Sequence, residues 1–72
     1  MIDAADLGRV LRAKRERAKM TRDDLADKLG INRSTLLRWE HGIGLNTVVE
    51  LARAMQMCES AYMRLKVDSG GD

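Results

Sequence analysis

A chain of 72 residues makes one small domain, with no room for a deep catalytic cleft. Apolar residues at 44% and charged residues at 33% exclude a disordered chain, and no run of about 20 apolar residues exists to span a bilayer. The net charge of +2 says little by itself, whereas a single cysteine excludes an intrachain disulfide and, with a single histidine, a zinc site.

The chain has no proline and no phenylalanine, and its Leu, Ala, Met, Arg, Lys and Glu favour helix. The stretch from Met1 to Asp6 is acidic and lacks the apolar core of a signal peptide. A first helix is expected to start near Asp3 or Asp6, with Leu7, Val10, Leu11 and Ala18 on one face. It must end before Thr21, which reads as the N-cap of a second helix with Asp24 closing a capping box. Leu25, Ala26 and Leu29 form the apolar face of that helix, and Gly30 stops it. Asn32 is the N-cap expected for a third helix, which runs to about His41 and is stopped by Gly42. A connection of only Gly30 and Ile31 forces the second and third helices to cross steeply, as in a helix-turn-helix.

Thr47, with Glu50 in a capping box, is expected to open a fourth helix whose apolar face holds Val48, Leu51, Ala52 and Met55. Residues Ala61 to Val67 read as a fifth helix, with a strand as the alternative because apolar and polar residues alternate there. The expected architecture is an all-α bundle of four to five short helices spanning residues 1–67, followed by a flexible tail at 68–72. Met55, Met57 and Met63 are expected in the core or at a dimer interface, and Cys58 as an inert side chain near the end of the fourth helix.

Charge is unevenly spread. Seven of the thirteen basic residues lie between positions 9 and 22, opposed there only by Glu16, which suits an anionic partner or a solvated helix face. On a helical wheel of residues 33 to 41, Leu36, Trp39 and Glu40 share one side, and Arg33, Ser34, Leu37, Arg38 and His41 the other. The first side belongs against a core, with Arg15 of the first helix as the partner for a buried Glu40. The second suits a major groove: arginine reads guanine O6 and N7, serine donates or accepts, and leucine touches a thymine methyl. His41 has no Asp or Cys placed to complete a catalytic triad, so no catalysis is expected.

The spacing Thr21-x-x-x-Leu25-Ala26-x-x-Leu29-Gly30-Ile31-x-x-Ser34-Thr35-x-x-x-x-Glu40-x-Gly42 resembles the Cro/C1-type, or Xre-like, helix-turn-helix family. The likeness extends from Leu7 to Met57. It implies a lambda-repressor-like fold whose third helix enters the major groove of double-stranded DNA. By matching positions, Arg33, Ser34, Leu37 and Arg38 become base-reading candidates, and Thr21, Arg22, Thr35 and His41 backbone-phosphate candidates. Arg15 and Glu40 match the internal ion pair of the family. Lys19 stands where a glycine usually ends the first helix, so a positive φ is expected there, and Asn46 replaces a frequent proline.

The function expected is a cytoplasmic, nucleoid-associated transcription regulator, a repressor acting as a homodimer on an inverted repeat, without cofactor or metal. An antitoxin that also binds a toxin protein shares this DNA-binding head. A protein-interaction module lacking DNA binding would carry less positive charge on the reading face. A basic amphipathic membrane helix at residues 7 to 19 would need its leucines away from the core.

Overall fold

The computed structural model describes residues 3–42 and 48–68, which form α1 (Ala4–Arg17), α2 (Arg22–Leu29), α3 (Arg33–Glu40) and α4 (Val48–Asp68). The expected Thr47 cap and Asn46 lie outside the described residues. Among the described residues there is no strand, and no helix is long and apolar enough to cross a membrane.

Local sequence fixes most helix ends. Asp3 caps α1, its carboxylate accepting the Asp6 amide while the Asp6 carboxylate accepts the Asp3 amide. Thr21 and Asp24 make the same reciprocal pair at α2, as expected. Asn32 occupies the N-cap position of α3 but its side chain makes no capping bond. Helices α1 and α2 end in the same way. At α2, Ile31 N–H bonds Ala26 O and Gly30 N–H bonds Asp27 O, with Gly30 left-handed at φ 71°. At α1, Met20 N–H bonds Arg15 O and Lys19 N–H bonds Glu16 O, with Lys19 itself at φ 60°. A lysine thus holds the left-handed position that the family resemblance assigns to it.

α1 packs on α3 and α4, and α2 packs on the same two helices. Leu11, Leu25, Leu36 and Cys58 are fully buried at the centre, ringed by Ala18, Met20, Ala26, Leu29, Trp39, Leu51 and Ala54. Each fully buried leucine contributes ~1.5–3 kcal/mol relative to an exposed one. Trp39 is core, as the wheel requires.

Two expected placements are corrected. Val10 is exposed, because the buried face of α1 centres on Gly8, Leu11, Arg15 and Ala18. At ~100° per residue Val10 falls well off that arc. Ala52 is exposed, and the inward stripe of α4 is Leu51, Ala54, Met55 and Cys58. Of the methionines expected in the core or at a dimer interface, Met55 and Met57 pack against the core and Met63 is exposed.

The C-terminal segment is neither a strand nor a separate helix. α4 runs unbroken for 21 residues, so Cys58 lies in its middle and Asp68 closes it. The helical period wins over local alternation because Ala61 and Tyr62, three and four residues beyond Cys58, continue the stripe onto the core. Polar contacts with α1 fasten this stretch. Glu59 accepts from both Lys14 and Arg17, and the Arg17 guanidinium lies 4.0 Å over the Tyr62 ring centroid.

Candidate nucleic-acid interface

α3 presents two chemically distinct sides. Its inner side, Leu36, Trp39 and Glu40, is buried. Its outer side exposes Arg33, Ser34, Leu37, Arg38 and His41, so the four base-reading candidates share one open surface. Leu37 is among the exposed large apolar residues, as a thymine-methyl contact would need. Arg38 makes no ion pair with any described residue. Arg33 has a partner the sequence did not suggest: its Nε lies 3.4 Å from Oδ1 of Asp23, in the first turn of α2.

The backbone-phosphate candidates divide. His41 follows the last residue of α3 and is exposed, and its Nδ1–H donates to Leu37 O at 2.9 Å. Thr21 is exposed at the start of α2; its hydroxyl accepts the Asp24 amide and keeps its own proton to donate. Thr35 is half-buried. Arg22 is half-buried too, because its Nε donates to Glu40 Oε1 at 2.9 Å.

The expected Arg15–Glu40 pair is present and buried. Arg15 Nε donates to Glu40 Oε2 at 2.7 Å, and its Nη1 donates to Met20 O at 2.8 Å. One carboxylate therefore joins α1, the start of α2 and the end of α3, and fixes the outer face of α3 relative to the α2 N-terminus.

Much of the basic run of α1 is paired with acids of the fold. Arg9 pairs with Asp6, Arg12 with Glu16, Lys14 and Arg17 with Glu59, and Arg15 with Glu40. Most of that charge is thus neutralised within the fold. Long-range partners such as Glu59 left no signal in the sequence. Gly8 did leave one, since a glycine inside a helix costs ~1 kcal/mol and calls for a packing reason.

Titration behaviour follows the hydrogen bonds. The Thr21 amide holds the Asp24 carboxyl below the ordinary range, as the Asp3 amide does for Asp6. The Lys14 ammonium does the same for Glu59, and burial pushes the Cys58 thiol up. Among the described residues no cluster of His, Cys, Asp and Glu could hold a metal ion.

Neither the curated proteins nor the solved structures compared with the chain give a significant match. The family model for helix-turn-helix proteins matches residues 11–62, a span that covers α2, α3, the buried Arg15–Glu40 pair and most of α4. The chain therefore belongs to the Cro/C1-type helix-turn-helix family of DNA-binding transcription regulators.

Proposed function

We propose that this protein is a sequence-specific repressor that lays α3 in the major groove of double-stranded DNA and acts by occluding a promoter, without catalysis. The observation that carries this reading is the two-sided α3. Arg33, Ser34, Leu37 and Arg38 stand in solvent over a back of Leu36 and Trp39 that is fixed in the core. Such a face has donors for guanine and an apolar tip for thymine. Thr21, Arg22, Thr35 and His41 flank it as phosphate contacts that set the register.

One such head touches few base pairs, and each mismatch costs only ~1–3 kcal/mol. Specificity therefore calls for a twofold homodimer on an inverted repeat with half-sites ~34 Å apart or a multiple of that spacing. Met63 and Val67 support this reading: they lie four residues apart on α4, 56% and 69% exposed, where a second copy can cover them.

Selection of bound fragments from a random duplex pool tests the proposal. A symmetric motif is expected, with Arg33→Ala and Arg38→Ala each relaxing base preference while leaving the melting temperature near wild type. If both variants keep wild-type selectivity, the reading face is misassigned. If the folded protein at low salt binds no duplex at all, the function is.

A further inference from the structure

Arg33 and Asp23 belong to different helices, separated by the turn, yet their side chains meet. The guanidinium Nε lies 3.4 Å from the carboxylate Oδ1, with both side chains in solvent, 67% and 74% exposed. An exposed pair of this kind adds little to stability. Its geometry matters more than its energy. A guanidinium carries five N–H donors in a rigid plane. With Asp23 on the Nε side, the edge carrying Nη1 and Nη2 stays open, and that edge matches the O6 and N7 acceptors of guanine. Without the carboxylate, the long side chain is free to swing to a neighbouring phosphate, which attracts it as strongly and carries no sequence information.

We propose that Asp23 is a positioning residue for base recognition: its carboxylate holds Arg33 with the paired Nη edge toward a guanine and away from the phosphate backbone. This rests on the assignment of Arg33 as a base reader. The carboxylate has two opposite effects on binding. It repels the phosphates and so weakens binding to every duplex, and it sharpens the preference for guanine at the position Arg33 reads. Other acids on α2 supply only the first effect. Asp27 is exposed on the same helix and makes no ion pair with Arg33, so its loss should act on all sequences alike.

The test uses the full chain, the operator selected from the random pool, and the same duplex with each base pair replaced in turn. Affinities are measured for wild type, Asp23→Asn, Asp27→Asn and Arg33→Ala. Asp23→Asn is expected to tighten binding to non-operator DNA several-fold while reducing discrimination about tenfold at one position, the position where Arg33→Ala also removes it. Asp27→Asn is expected to tighten binding to all duplexes and to leave discrimination intact. If Arg33→Ala abolishes preference at a position and Asp23→Asn leaves that preference unchanged, the positioning role is refuted and the reading face survives. If Arg33→Ala changes no preference, Arg33 is not a base reader and the positioning role falls with that assignment.

Discussion

Arg22, the first residue of α2, donates from Nε to Oε1 of Glu40, the last residue of α3, at 2.9 Å. The other oxygen of that carboxylate takes Arg15 of α1, and the Glu40 side chain is only 1% exposed. The α2 N-terminus and the end of α3 are therefore set by one buried anion shared between two guanidiniums. Arg22 donates from Nε to Glu40, and its terminal nitrogens would serve the phosphate contact proposed above.

Loss of Glu40 should be far more damaging than loss of Arg22. Glu40→Ala leaves Arg15 buried without its counter-charge, and breaking a buried pair from one side costs ~3–5 kcal/mol. Urea denaturation should show that loss, which is large for a domain of this size. Arg22→Gln should move the urea midpoint much less. Its signature should be weaker binding to every duplex, with the slope of log affinity against log salt reduced by about one. An equal loss of stability from both variants would contradict the shared-anion account.

Gly8→Ala should destabilise the fold without touching the outer side of α3. A Cβ at this position would fall 2.6 Å from the Trp39 carbonyl oxygen and 2.7 Å from the Glu40 carbonyl carbon, both rigid backbone. Helix propensity alone would favour alanine by ~1 kcal/mol, so the clash must exceed that gain for the melting temperature to fall. Overpacking of this kind costs ~1–3 kcal/mol or more. A rise in melting temperature would mean that α1 and α3 can separate at no cost.

The sequence was most legible where structure is local. The paired caps of Thr21 with Asp24, the left-handed stop at Gly30, and the buried sides of α2 and α3 follow from spacing within a few residues, whereas the left-handed Lys19 is implied only by the family resemblance. The Arg15–Glu40 pair was legible because both residues point inward from predicted helices and a buried charge demands a partner. Contacts between surface side chains on different helices were not legible. Asp23 with Arg33, and Glu59 with Lys14 and Arg17, depend on crossing geometry that no short-range period encodes. Val10 was misplaced because four apolar positions suggested a face, whereas the buried face also includes a glycine and an arginine, residue types that an apolar pattern passes over. The end of α4 was ambiguous because seven residues alternate as well as they spiral, and only packing of Ala61 and Tyr62 onto the core decides.

Lys19→Gly should stabilise the protein. The backbone at Lys19 is left-handed, φ 60°, which costs a residue with a Cβ roughly 1–2 kcal/mol. Glycine escapes that cost and gives back part of the gain through its freer unfolded chain. The expected net effect is a fraction of a kcal/mol up to about 1 kcal/mol, read as a higher urea midpoint with an unchanged slope. Lys19→Ala removes the same charge and keeps the strain, so it should gain nothing. Equal effects of the two variants would attribute the change to charge.

Acid should loosen the molecule at its caps and at the α1–α4 clasp. The Thr21 amide lowers the Asp24 pKa, the Asp3 amide lowers that of Asp6, and Lys14 lowers that of Glu59. A carboxyl with a lower pKa in the folded than in the unfolded chain stabilises the fold fully above its unfolded value and progressively less as pH falls through its folded value. The melting temperature should therefore hold level down to about pH 5 and decline below about pH 4. Asp24→Asn should start from a lower melting temperature at neutral pH and lose less of it on acidification. Added salt should weaken the contribution of Glu59, which is a screened charge pair, more than those of the two caps, which are hydrogen bonds within one turn. A melting temperature that stays flat through pH 3 would show that these three carboxylates titrate alike in the folded and unfolded chain.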